Sequence, residues 1–204
     1  MVVSPVTRVE YQAPGSGATI AVERLRVANL SDGEIIGLRA LAELAYQVQL
    51  GGESAFNPRM SAEQLAEERS WLEEAVTNDH RMWVIRNPQA ENDLEQFDGF
   101  AELMPKKKGV WLEEIHVRPP FGRGNGSLLL HAGLTADLWP GSRQLGLDIV
   151  PGSSSNNMYH KLGMVLFKGA GKYPQMVTPK GYGTKGIIAA LEKRRPELTQ
   201  ARML

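Results

Sequence analysis

Residues 111–130 read Trp-Leu-Glu-Glu-Ile-His-Val-Arg-Pro-Pro-Phe-Gly-Arg-Gly-Asn-Gly-Ser-Leu-Leu-Leu. The stretch starts as an alternating strand and breaks at Pro119-Pro120. It then turns through Gly122, Gly124 and Gly126 and enters an apolar helix at Leu128, Leu129 and Leu130. Glycines carry no Cβ to hold a ligand off, and the first N–H groups of a helix have no intrahelical acceptor. A strand, a glycine turn and a new helix N-terminus together predict an anion cradle, most often for pyrophosphate.

Three cradle types share this outline. A P-loop requires Gly-x-x-x-x-Gly-Lys-Ser/Thr, and no Lys-Ser or Lys-Thr follows these glycines. A Rossmann fingerprint requires Gly-x-Gly-x-x-Gly, but here the third glycine comes one position early and Ser127 stands in its place. The third type fits best. Val117-Arg118-Pro119 followed by Gly-Arg-Gly-Asn-Gly-Ser-Leu-Leu resembles the acyl-CoA-binding motif of the GNAT superfamily of N-acetyltransferases, and Leu112-Glu113-Glu114-Ile115 resembles its fourth strand. One position departs from the pattern: Phe121 stands where the family usually carries Arg or Gln. The resemblance implies an α/β fold whose mixed, mostly antiparallel central sheet has flanking helices and splays in the middle for acyl-CoA. It also implies acetyl-CoA as cosubstrate, held by Ile115, His116 and Val117 on the strand, by Gly122, Arg123, Gly124, Asn125, Gly126 and Ser127 in the loop, and by Asn156.

Bulk properties set the frame. At 204 residues, with 42% hydrophobic and 23% charged residues, the chain suits one domain with a sizeable core. Lys plus Arg equals Asp plus Glu, so the basic footprint of a nucleic-acid binder is missing. With no cysteine there is no disulfide, thiolate metal site or Cys nucleophile, and the four histidines have no metal-ligand spacing. No leader-like run follows Met1 and no segment approaches membrane-spanning length, so the expectation is a soluble cytoplasmic protein with no membrane partner.

Along the chain, 1–18 reads as a flexible N-terminus and 19–27 as a first strand. Ser31 with Glu34 and Ser61 with Gln64 have capping-box spacing and open two helices, the second acidic. Residues 82–85, 97–103 and 110–117 read as three antiparallel strands. After the glycine turn a helix runs to about Trp139, then 144–150 is a strand. A short helix carrying Tyr159 closes at Gly163, and 164–167 is a further strand. Residues 169–204 read as a C-terminal extension, irregular until a helix over about 185–195. The order β-α-α-β-β-β-α-β-α-β is that of GNAT proteins.

A second motif supports the first. Tyr159-His160-Lys161-Leu162-Gly163-Met164 resembles the family's Tyr-x-x-x-Gly-Phe/Met helix end, where the phenol sits near the CoA sulfur. The chemistry needs a neutral amine, a held oxyanion and a protonated thiolate. The resemblance implies that backbone N–H groups near Val117 meet the acetyl carbonyl. Glu113 is the leading base, and Leu-Glu-Glu here resembles the polyamine acetyltransferase branch. Regular alternation sends Glu114 to the opposite face, although a β-bulge would exchange the two. Asp148, on the next strand, is a further candidate base, and Tyr159 the candidate acid. His116 reads as packed under a helix, and His131 and His160 as helix-surface residues. The reading is an N-acetyltransferase acting on a primary amine such as a polyamine, an amino acid or a peptide, without a metal. A non-catalytic acyl-CoA sensor is the alternative. Family members are often dimers, so a homodimer is the expected assembly.

Overall fold

The computed structural model describes residues 6–13, 17–50, 59–107, 109–119, 124–136, 144–149, 155–167 and 174–204. Among these residues nine strands form one sheet: β1 (Arg8–Gln12), β2 (Thr19–Arg24), β3 (Arg81–Arg86), β4 (Phe97–Lys106), β5 (Gly109–Val117), β6 (Leu145–Asp148), β7 (Val165–Phe167), β8 (Gln175–Val177) and β9 (Arg202–Met203). Their spatial order is β7-β8-β6-β5-β4-β3-β2-β1-β9. Every neighbouring pair is antiparallel except β5 with β6. That one parallel pair is where the helical crossover α3 (Asn125–Ala136) is inserted.

Helices cover both faces, and strand alternation assigns each side chain to its layer. On β3, Met82 and Val84 face a cluster with Ile35, Leu41, Leu72, Phe97 and Phe100, supplied partly by α1 (Asp32–Leu50) and α2 (Ala62–Thr77). Their neighbours Trp83 and Ile85 face the larger cluster with Leu128, Leu129, Leu130, Ile187 and Leu191 of α3 and α5 (Gly183–Arg194). Both capping boxes close. The Ser31 and Ser61 hydroxyls each accept the N3 backbone N–H at 3.2 Å, and the N3 side chain accepts the Ser31 or Ser61 N–H at 2.9 and 2.8 Å. Each cap is worth about 1 kcal/mol, typical for an N-cap. The acidic residues Glu63, Glu67, Glu73 and Glu74 of α2 are exposed.

Three sequence expectations change. Residues 8–12 are not a flexible terminus, because Val9 and Tyr11 are buried and β1 pairs with both β2 and β9. Residues 174–204, read as part of a C-terminal extension, belong to the fold itself: β8 lies between β6 and β7 and α5 packs on α3. His131 is not on the surface: Tyr11 Oη and His131 Nδ1 are 2.9 Å apart in the core and tie α3 to β1. Burial disfavours the charged imidazole and lowers its pKa. The expected helix end near Trp139 lies outside the described residues. No helix among those described is long and apolar enough to cross a membrane.

Helix α3 approaches the sheet closely where glycine allows it. A Cβ on Gly133 would collide with Leu103 Cδ1, and one on Gly99 would meet Leu129 Cδ1 at 2.8 Å. Leu128, Leu129 and Leu130 are fully buried, each worth roughly 1.5–3 kcal/mol of transfer free energy. Their packing fixes the start of α3 beside the end of β5. Arg118, just past that strand, donates from Nη2 to the Leu94 carbonyl at 2.7 Å and from Nε to the Phe97 carbonyl at 3.0 Å.

Candidate functional site

The site begins where the sheet divides. Strands β5 and β6 pair at only three positions, Val110 with Leu145, Trp111 with Gly146 and Leu112 with Leu147. Beyond them β5 continues to Val117 while β6 stops at Asp148. At the same point β5 carries a bulge: Glu114 opposes Glu102 and Leu112 opposes Leu103, leaving Glu113 as the extra residue. The bulge inverts the alternation. Ile115 and Val117 join Val110 and Leu112 toward the α3–α5 layer, whereas Glu114 and His116 turn toward α1 and α2.

On the α3–α5 side a cavity of about 500 Å³ lies between the glycine turn, β5, α4 (Ser155–Lys161) and the end of α5. Gly124, Asn125, Gly126 and Ser127 form one wall and Ile115 and Val117 another. Gly124 has φ +83°, a left-handed conformation that costs other residues energy. Its carbonyl accepts the N–H groups of Ser127 at 3.0 Å and Leu128 at 3.1 Å. The preceding N–H groups, of Asn125 and Gly126, have no intrahelical acceptor by helix geometry, which leaves them available to an anion. Gly122 and Arg123 lie outside the described residues. Asn156 is not on the cavity wall, where its neighbours Ser155 and Asn157 stand instead.

The C-terminal segment completes the cavity, a contribution the sequence reading missed. Arg195 Nη1 donates to the Gly124 carbonyl at 2.6 Å, and its Nε to Glu197 Oε1 at 2.7 Å. Lys161, Arg194 and Arg195 line the cavity with no Asp or Glu among the lining residues, in a chain of net charge zero. A Lys or Arg pair ending a helix reads from sequence as a dipole complement, so nothing in the local pattern flagged these residues.

Tyr159 lines the same cavity and is 4% exposed. Gly163, at φ +85°, terminates the segment after α4, and the Tyr159 carbonyl accepts the N–H groups of Leu162 and Met164 at 3.1 Å each. Burial pushes the phenol above its ordinary pKa, so it is protonated at neutral pH.

The carboxylates sit elsewhere. Glu113 and Asp148 share a depression of about 450 Å³ with Trp111, Gly146 and Gln175. A neighbouring depression of about 440 Å³, under α1 and α2, is lined by Arg39, Glu67, Glu68, Trp71, Glu114 and His116 among others. There His116 stacks on Phe100 with ring centroids 6.4 Å apart, and its Nε2 lies 3.1 Å from Glu114 Oε2. The hydrogen bond from His116 holds the Glu114 carboxyl below its usual pKa. His116 is packed under a helix as expected, but it is also paired with a carboxylate. Opposite Glu114, the fully buried Glu102 bonds His80 Nδ1 through Oε1, while its Oε2 has no partner among the described residues. Burial raises the Glu102 pKa, opposed by the hydrogen bond to His80. Among the described residues no group of three or more His, Asp or Glu could hold a metal ion.

No family model and no curated protein sequence matches the chain. Its fold, however, is similar to solved acetyltransferases. The PaiA N-acetyltransferase from Thermoplasma acidophilum in complex with coenzyme A gives a TM-score of 0.56 at 16% identity, over 77% of this chain and 98% of that one. An acetyltransferase from Thermus thermophilus gives 0.55 at 17% identity, over 78% and 96%. Apo FdhC, a nucleotide-linked sugar GNAT, gives 0.59 at 12% identity, over 97% and 99%. The chain therefore has the GNAT fold, a mixed α/β architecture around a mostly antiparallel sheet.

Proposed function

We propose that this chain, built on the fold of the GNAT acetyltransferases, transfers an acetyl group from acetyl-CoA to a primary amine by direct attack. The observation that carries the reading is the cavity beside the end of β5 that runs on past its pairing with β6, which joins a glycine turn, three cations and a protonated phenol. These residues fit a long anionic thioester. Asn125 and Gly126 N–H groups and the cations suit its phosphates, and the apolar Ile115, Val117 and Met158 suit its arm. When bound, acetyl-CoA supplies an activated acyl group whose leaving sulfur needs a proton.

The chain's own residues then divide the work. Tyr159, kept protonated by burial, donates a proton at the cavity wall. Glu113, at the bulge and in the depression it shares with Asp148, accepts the proton of the incoming ammonium. Glu114, oriented by His116, is a second possible acceptor within the neighbouring depression. Three carboxylates there, Glu67, Glu68 and Glu114, face one guanidinium, Arg39, which supports a cationic acceptor. The test is acceptor-dependent CoA release by the purified protein across polyamines, amino acids, amino sugars and peptides. Turnover with an amine is expected. Acetyl-CoA binding with no turnover across the panel would instead establish the sensor, and no binding would refute both readings.

A further inference from the structure

The chain as a whole is electrically neutral, yet the walls of the 500 Å³ cavity carry three cations and no carboxylate. The three are not equivalent. Arg195 is committed to the Gly124 carbonyl and to Glu197, so it acts mainly as a strut beneath the glycine turn. Lys161, at the end of α4, and Arg194, at the end of α5, form no ion pair among the described residues. They approach the cavity from two different helices. Both side chains are exposed, so their charged ends stay hydrated while they line the cavity. Two cations without an ion partner at one cavity repel each other, and an anion held between them relieves that repulsion.

The glycine turn suits one anionic group, the pyrophosphate, because its N–H donors are neutral and match charge spread over two phosphates. A pair of full positive charges suits a more concentrated anion, such as a terminal phosphate monoester with nearly two charges at neutral pH. We propose that Lys161 and Arg194 form a separate subsite for the terminal 3′-phosphate of coenzyme A, with Arg195 as the strut that sets its distance from the glycine turn. The proposal rests on the cofactor reading above and deepens it. It makes the C-terminal segment, through α5, part of the cofactor site, and it makes the chain discriminate coenzyme A from dephospho-coenzyme A.

The test is titration calorimetry of the full chain with coenzyme A and with dephospho-coenzyme A, which differ only in that phosphate. The wild type is expected to bind coenzyme A roughly 10- to 100-fold more tightly, the worth of one or two charge-assisted contacts. In Lys161→Ala/Arg194→Ala the preference should fall to roughly threefold or less, with dephospho-coenzyme A affinity little changed, as expected for removed charge-assisted contacts. Arg194 is exposed and Lys161 is also at the surface, so the variant should melt with the wild type. Arg194→Lys, which keeps the charge, should retain most of the preference. Equal affinity of the wild type for the two ligands, or an undiminished preference in the double variant, overturns the subsite while leaving the cofactor reading standing. Absence of coenzyme A binding by the wild type overturns both.

Discussion

Replacing Tyr159 by Phe separates chemistry from packing because it keeps the ring and removes only the hydroxyl. The ring is buried at the cavity wall, and its hydroxyl forms no hydrogen bond with the described residues. A phenol of ordinary pKa ~10 is already only about 0.1% ionised at pH 7, and burial lowers that fraction further. Tyr159 is therefore a standing proton donor throughout the neutral range. Loss of a positioned acid typically costs roughly 10²–10⁴-fold. A thiolate leaves readily, so the low end applies, about 10²-fold in kcat or about 2.7 kcal/mol of barrier. Stability should hardly move, because Phe keeps the buried ring and removes only the hydroxyl. The sign in alkali follows from the same shift. The folded state holds the proton more tightly than the unfolded one, so this contribution is present below pH ~10 and lost as the pH rises through the folded value. Tyr159→Phe should accordingly lose less stability than wild type above pH ~10. Steady-state kinetics with acetyl-CoA and an accepted amine, beside thermal melts, measure both quantities. Unchanged kcat together with a lowered Tm would refute the acid role and leave Tyr159 a packing residue.

Three further outcomes follow from the same geometry. Gly126→Ala should fold like wild type, because its Cβ would meet only Val117 Cγ2 at 3.5 Å and Ile115 Cδ1 at 3.8 Å. Gly126→Glu places a carboxylate in the cavity and should abolish coenzyme A binding by calorimetry, with its Tm showing that it folds. Glu113→Gln should depress turnover roughly 10²-fold, mainly at low pH, while acetyl-CoA affinity persists; a pH–rate profile identical to wild type would transfer the base role to Glu114 or Asp148. His131 has a lowered pKa in the fold, so its contribution is present above pH ~6.5 and lost as the pH falls through the folded value. Tm should decline on acidification toward pH 5, and Tyr11→Phe, which strips the Nδ1 partner, should cost about 1–3 kcal/mol in denaturant melts.

What local sequence can specify was legible. Capping boxes at Ser31 and Ser61 act over three residues, so their spacing in the chain is their geometry. The glycine turn and the Tyr159 helix are likewise contiguous, and their order along the chain carried the resemblance that the fold bears out. Strand β1 was partly legible, since Val9 and Tyr11 alternate with polar residues, but five residues amid Pro, Ser and Gly gave too short a period. Strand β8, of three residues, is defined by lying between β6 and β7 and not by its own pattern.

The site itself depended on pairings between distant segments. Whether Glu113 or Glu114 faces α1 and α2 is decided by a bulge against Glu102 and Leu103, which the alternation of β5 alone leaves open. His131 is buried because Tyr11, 120 residues earlier in the chain, meets its ring. Arg195 reaches the Gly124 carbonyl across 71 residues because α5 packs on α3. Sequence by itself carried the capping boxes, the glycine turn and the Tyr159 helix, because each is contiguous, and it carried the fold class through the family that those two motifs resemble. The charge of the cavity and the facing of the carboxylates were decided by tertiary structure alone, because each depends on which remote strand or helix arrives opposite.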